Sequence, residues 1–398
     1  MDAIDTLLSR GVDSVYPSRE ELAKVLRAGK KLTLYQGFDP TGTQLHIGHA
    51  VAIRKLRQFQ DLGHRVIFLI GDGTGQAGDP SGKSTSRDKF YTREELRANA
   101  RDYVRQAGQI VRFKGDNPVE IRYNSDWLNK LTLVDILGIA QHFSVQQLIE
   151  RDMYRERMKR EESINLREFL YPLLQGYDSV AMKVDLELGG TDQTFNMLAG
   201  RTLVKAMLGK EKFVMTVPLL TDARGTKIGK TEGNVIAITD PPGELYAKIM
   251  NLGDDAIINC FMLLTDLRED DIRTMEGEMQ GGINPMQYKK KLAFELTRTF
   301  HDAAAAGRAE TEFESVHQKG GLPAEAGYVF ESRERSADPV EILVGSGATA
   351  SRSEAKRLID QNAVETGGVI LKAGTPLRIG KGVIIKVGKK KFISIKTI

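Results

Sequence analysis

The stretch YQGFDPTGTQLHIGHAV, residues 35 to 51, decides the fold. The apolar run LTLY (32–35) leads into it and AVAIRKLRQF (50–59) leads out, with Gly37, Pro40, Gly42 and Gly48 punctuating the space between. A β-prone run, a turn and then an apolar pattern of helical spacing read as strand, turn and helix start. A capping box, Ser18 with Glu21, opens a helix over 18–28 upstream. Downstream, RVIFLIG, TREELRANARDYVRQAGQ and VEIRYN continue the alternation, which runs to about residue 220. Strands alternating with helices predict an α/β fold with a parallel sheet and crossover helices. The charge-laced ERDMYRERMKREES, within 140–170, reads as a solvated insertion into that order.

After the PPG at 241–243 the texture turns helical. ELYAKIMNL, DAIINCFMLL and PMQYKKKLAFELTRTFHDAAAA all carry helical spacing, the last opened by Asn284 as cap and Pro285 at the first helical position. Domains are therefore expected at 1–240 and 241–323, a linker at 324–337, and a small α+β module at 338–398 built from SRSEAKRLIDQ, VIIKV and KFISI. At 398 residues the chain is long enough for two or three domains. Hydrophobic residues make up 41% and charged residues 28%, as in a globular protein. No apolar run approaches the roughly 18 residues that span a bilayer, and MDAIDTLLSRG, with Asp2 and Asp5, has no signal or transit build. The one cysteine, Cys260, excludes an internal disulfide and a cysteine-rich metal site, and the cytoplasm is the expected location.

Net charge is +4, unevenly spread. From Glu341 to Ile398 eleven Lys or Arg stand against four Asp or Glu, a net of +7, which leaves −3 for the rest. A small basic module on a mildly acidic body is the pattern of an appended nucleic-acid binder.

His46 and His49 stand at a helix start, where free backbone N–H groups and the helix dipole favour an anion. Alone, an HxGH tetrapeptide is equally well read as two histidines satisfied in a turn. TDARGTKIGKTEGN (221–234) then puts Lys227, Lys230 and Thr231 on a glycine-flanked segment just after the apolar VPLL. Together the two suggest a clamp on a polyphosphate. GDGTGQAGDPSGKSTSR (71–87) adds Asp79, Lys83 and Arg87; it is not a Walker A sequence, because Gly78 and Gly82 are only four apart.

HIGH at 46–49 with KIGKT at 227–231 resembles the signature pair of class I aminoacyl-tRNA synthetases. YQGFDPT, GDPSGK, YPLLQGYD (171–178 from its tyrosine to its aspartate) and GGTDQTFN (189–196) narrow the resemblance to the bacterial tyrosyl-tRNA synthetases, over essentially the whole chain. It implies a Rossmann-like catalytic domain, then an α-helical anticodon-binding domain. SRSEAKRLIDQNAVETGG is similar to the small S-four-like RNA-binding domain shared with a ribosomal protein. It also implies activation of tyrosine by ATP, with Mg²⁺ accompanying the nucleotide, transfer to tRNA-Tyr, and a homodimer formed near 140–170.

By that match His46 and His49 donate to ATP phosphates, and Lys227, Lys230 and Thr231 close over the pyrophosphate with Lys83 and Arg87. Asp79, Tyr171 and Gln175 hold the tyrosine ammonium, Asp178 and Tyr35 read its phenol, and Asn124 and Gln193 border that pocket. Gly37, Asp39, Gly48, Gly190 and Asp192 meet the nucleotide. Independently of the match, Tyr171, Gln175 and Asp178 fall at i, i+4 and i+7, one helix face. Gly229 and Thr231 depart from the commoner KMSKS, and Gln36 and Ala52 stand where some relatives contact nucleotide. Competing readings are a tryptophanyl-tRNA synthetase, a nucleotidylyltransferase with an HxGH turn, and a non-catalytic RNA-binding relative.

Overall fold

The alternating runs form a six-stranded sheet in the computed structural model, which describes residues 2–81, 90–222, 225–228, 235–315, 328–332, 334, 336–379, 383–388 and 391–397. Its strands are β1 (Ser14–Tyr16), β2 (Thr33–Phe38), β3 (Arg65–Ile70), β4 (Glu120–Tyr123), β5 (Leu186–Gly190) and β6 (Phe213–Val217). The order is β1-β6-β5-β2-β3-β4. The five strands from β6 to β4 pair in parallel, and β1 lies antiparallel on the β6 edge. Burial explains the composition: β3 (RVIFLI) hides all but its first residue, as a parallel strand covered on both faces must.

The topology positions the site. From β2 the chain steps outward to β3 and β4, then returns to the opposite side of β2 to lay down β5 and β6. The order therefore reverses between β2 and β5. In open α/β sheets a crevice for ligand forms at the carboxyl ends of the strands at such a reversal. The residues after β2 are Asp39 and the HIGH turn, and β5 ends in Gly189 and Gly190.

The helix Ile47–Asp61 crosses from β2 to β3 and buries Ile47, Ala50, Val51, Ile53 and Leu56. Upstream, Ser18 caps the helix Arg19–Arg27 by accepting from the Glu21 N–H at 3.2 Å; that is one half of the expected capping box. The segment 140–170 departs from a solvated insertion. Its helix Asp152–Lys159 buries Tyr154 and Arg157, and Arg157 Nη1 donates to Glu168 Oε2 at 2.7 Å. Charge composition does not reveal that an arginine and a glutamate will pair inside.

The chain divides into two compact units, Met1–Asp240 with Lys248–Asp302, and Pro241–Ala247 with Ala303–Ile398. In the first unit the helices Ile257–Leu264, Glu269–Gln280 and Met286–Phe300 bury Cys260, Phe261, Leu264, Leu292 and Leu296. Asn284 Oδ1 accepts from the Met286 N–H at 2.9 Å, the cap expected of it. Arg10 ties these helices to the N-terminus by donating to the carbonyls of Met262 and Thr265 at 3.0 and 2.7 Å.

The second unit carries β7 (Tyr328–Ser332), β8 (Ser336–Ala337), β9 (Val364–Thr366), β10 (Val369–Ile370), β11 (Leu377–Arg378), β12 (Ile384–Val387) and β13 (Lys391–Thr397). Five of them form a sheet in the order β10-β9-β12-β13-β7. The helices Pro339–Gly345 and Arg352–Asp360 pack Ile342, Leu343, Ala355 and Ile359 into one core with Val364, Ile385 and Ile393. The stretch 324–337, expected as linker, contains β7 and β8, and β7 pairs in parallel with β13. That partner lies some sixty residues downstream, so no local pattern announces it. Among the described residues no helix is long and apolar enough to cross a membrane.

Candidate active site

The HIGH turn is built by its own histidines. His46 is the N-cap of Ile47–Asp61: its Nδ1 accepts from the Gly48 N–H at 3.1 Å, and His49 Nδ1 accepts from the His46 N–H at 3.2 Å. An Nδ1 that accepts carries no proton, so each neutral ring keeps its proton on Nε2 as a donor. Gly48 is required by space, since a Cβ there would lie 2.9 Å from the His46 ring. The far chain frames the turn. His46 and Ala237 form an antiparallel bridge, and the Ile47 N–H donates to Ile236 at 3.1 Å. Thr221 and Lys227 form a second bridge, and Lys227 Nζ donates to Asp192 Oδ2 at 3.0 Å. Lys230, Thr231 and Gly229, like Lys83 and Arg87, lie outside the described residues.

The other end of the site hangs on the helix Leu166–Ala181, which carries Tyr171, Gln175 and Asp178 on one face. Asp178 is buried; its Oδ1 accepts from Trp127 Nε1 at 2.8 Å and its Oδ2 from Asn124 Nδ2 at 3.0 Å. Burial pushes its carboxyl well above the usual range, the two donors pull it back, and the charges of Glu187 and Asp39 push it up again. Asn124 is held in turn by its Oδ1, which accepts from the Gly73 N–H at 2.8 Å. Tyr171 donates to Asp39 Oδ2 at 2.9 Å, while Asp39 Oδ1 accepts from Thr74 at 2.7 Å. Burial, then the charges of Asp39 and Asp79, raise the Tyr171 phenol well above its ordinary value. Gln193 Nε2 donates to Asp79 Oδ2 at 2.8 Å.

Gln175 gives a directional clue. Its Nε2 donates to Glu187 Oε1 at 3.0 Å, which leaves Oε1 of the same amide buried without a partner. A buried acceptor in that state wants an N–H donor.

One cleft of about 1060 Å³ gathers every described candidate: Tyr35, Gly37, Asp39, His46, Gly48, His49, Asp79, Asn124, Tyr171, Gln175, Asp178, Gly190, Asp192, Gln193 and Lys227. Gln36 and Ala52 line it as well. Four carboxylates, from Asp39, Asp79, Asp178 and Glu187, make one part of it suited to a cation. The two Nε2–H donors and Lys227 make another part suited to an anion. An ammonium-bearing molecule and a polyphosphate can thus lie side by side.

Fold and site together define a class. The chain belongs to the class I tRNA synthetases (W and Y), whose family model matches residues 27–318. Within that class its relatives are tyrosine–tRNA ligases. The Thermotoga maritima enzyme of that name is 42% identical over 98% of this chain and 96% of its own length. That of Syntrophotalea carbinolica is 40% identical over 98% and 97%. A solved C-terminally truncated mitochondrial tyrosyl-tRNA synthetase from Coccidioides posadasii is 25% identical, with a TM-score of 0.63 over 78% of this chain and 91% of that one.

Several residues of the site escaped the sequence reading: Thr74, Trp127, Ser179, Glu187 and Lys212. Only two left a trace. Glu187 is an acid inside the apolar run LELGG, and Lys212 stands at the head of FVMTV. A charge in a fully buried strand needs a partner, and these two are each other's.

Proposed function

We propose that the cleft activates L-tyrosine with ATP and then esterifies it to the terminal ribose of tRNA-Tyr. In the first step a tyrosine carboxylate oxygen bonds to the α-phosphorus while the bond to the pyrophosphate oxygen breaks. In the second a ribose hydroxyl attacks the acyl carbon and AMP departs. Substrate supplies the nucleophile each time, so the protein's work is positioning and charge stabilisation. His46 and His49 donate from Nε2 to phosphate oxygens, and Lys227 with Lys230, Thr231, Lys83 and Arg87 neutralises the departing pyrophosphate. Asp79, Tyr171 and Gln175 hold the ammonium. Asp178 and Tyr35 take the phenol, with Asn124 and Gln193 bracing the walls. Gly37, Asp39, Gly48, Gly190 and Asp192 receive the nucleotide.

The observation that carries this reading is Gln175 Oε1, buried and unpartnered between Glu187 and the cleft, where an α-ammonium supplies the donor it needs. Mg²⁺ enters with ATP on its phosphate oxygens. The family model covers tryptophan and tyrosine enzymes alike, and the relatives named for tyrosine favour the phenol over the indole.

The basic C-terminal segment is assigned to tRNA. Leu133, Val134, Leu137, Val145 and Leu166 are each exposed; we assign these apolar side chains to contact with a second copy of the chain. A cytoplasmic location completes the reading. Pyrophosphate exchange with each amino acid in turn tests it. Tyrosine is expected to drive exchange, and exchange driven by tryptophan instead would transfer the assignment to the sister specificity.

A further inference from the structure

Asp79 is braced from a distant part of the chain. It sits on a loop, between Gly78 at a φ of 82° and Pro80, with no helix or strand of its own to fix it. Arg151 immediately precedes the helix Asp152–Lys159, and its side chain makes no cap there. It reaches instead to the loop, where its Nη2 donates to Ser81 Oγ at 2.9 Å. Its guanidinium lies over the rings of Tyr154 and Phe195, 5.6 and 4.8 Å from their centres. Burial lowers the pKa of that guanidinium, and Asp79 is among the charges that raise it again. Arg151 lines not the cleft but a neighbouring cavity of about 590 Å³, whereas Ser81 lines both.

Two chains of hydrogen bonds run from this brace to the carboxylate. In the first, the Ser81 N–H donates to Asp79 Oδ1 at 2.9 Å. In the second, Gln193 Nε2 donates to Asp79 Oδ2 at 2.8 Å, and Gln193 Oε1 accepts from Asn196 Nδ2 at 2.9 Å. The same Asn196 amide, fully buried, also donates to Ser81 Oγ at 3.3 Å and so closes the ring. The directions are set at both ends: a guanidinium only donates and a carboxylate only accepts. Gln193 therefore turns its N–H to Asp79 and its carbonyl to Asn196. Charge alone does not account for Arg151, because a cation near an ammonium site repels the ammonium. Its contribution has to be placement.

We propose that Arg151, acting through Ser81, is a positioning residue that aims Asp79 at the α-ammonium of the substrate, so that a side chain from the segment 140–170 sets recognition of the amino group. The proposal rests on the reading of Asp79 given above. A charge-assisted hydrogen bond depends on geometry, and a carboxylate that drifts on its loop loses it.

The test uses two competitors of tyrosine in pyrophosphate exchange. Tyramine keeps the ammonium and lacks the carboxylate; desaminotyrosine keeps the carboxylate and lacks the ammonium. Arg151→Met should raise Ki for tyramine and KM for tyrosine about tenfold, the scale of one hydrogen bond to a charged group, while Ki for desaminotyrosine and KM for ATP stay within about twofold. Ser81→Ala cuts the same link and keeps the backbone N–H to Asp79, so it should give a smaller shift in the same direction. Thermal melting checks folding, and if Arg151→Met does not fold, Ser81→Ala decides. Equal weakening of both competitors would make Arg151 a support of the whole pocket and overturn the proposal. So would an unchanged Ki for tyramine, or a tighter one, which is what removal of a repelling charge alone would give. A parent in which tyramine does not compete with tyrosine overturns instead the ammonium reading beneath it.

Discussion

His46 carries two tasks on one ring, and substitution separates them. Its Nδ1 caps the helix Ile47–Asp61, and the phosphate contact proposed above falls to its Nε2. Asparagine caps well and alanine does not, a difference of about 1 kcal/mol. His46→Ala is therefore expected to lose about that much stability and His46→Asn very little, while both slow adenylate formation on the order of a hundredfold. Thermal melting and single-turnover kinetics read the two effects. An asparagine variant with the parent's rate would reduce His46 to a cap. Single residues were legible where chemistry and local spacing coincide, as in HIGH or the i, i+4, i+7 face of Tyr171, Gln175 and Asp178. Trp127, Ser179 and Lys212 were not, because their meaning lies in partners 51, 144 and 33 residues away.

At the scale of elements, His64 joins β2 to β3 beneath the site. Its Nδ1 accepts from the Leu32 N–H at 3.1 Å, and its ring meets Phe59 edge-on. Burial, helped by the nearby Lys31 charge, pulls the imidazole down to about 4. The unfolded chain takes its proton near 6.5, which the folded protein refuses until near 4. Stability should thus fall as pH drops from about 6.5 to about 4, by up to about 3 kcal/mol, with no contribution from this group above 6.5. Denaturant midpoints across that range check it against His64→Gln, whose acid slope should be shallower; an identical slope would assign the acid sensitivity elsewhere. The strand–helix alternation was legible because short continuous apolar runs such as RVIFLI, bounded by turn residues, alternate with longer segments of helical spacing. The order of the strands was not. Nothing local in LELGG states that β5 will lie beside β2, yet that pairing opens the cleft.

At the scale of the molecule, the second unit holds the basic segment, and β7 belongs to it through β13. A chain ending at Ser315 keeps the whole first unit, with the helix Ala303–Phe313 still available to pack against Tyr246. It is expected to form tyrosyl-adenylate at near the parent's rate and to charge tRNA poorly, with the gap to the parent widest at low salt and narrowing as salt rises, because the phosphate contacts removed are the salt-sensitive ones. Assays of the two steps decide it, and equal loss of both would make the second unit part of the catalytic body. The central claim is that the crevice between β2 and β5 activates tyrosine by reading its phenol at Asp178. A buried carboxylate already holding two donors rejects phenylalanine because its remaining lone pairs stay dry. The direct measurement is the ratio of kcat/KM for tyrosine over phenylalanine in pyrophosphate exchange, in the parent and in folded Asp178→Ala. The parent should favour tyrosine by orders of magnitude and the variant should lose most of that margin; an Asp178→Ala enzyme that rejects phenylalanine as strongly as the parent would contradict the account.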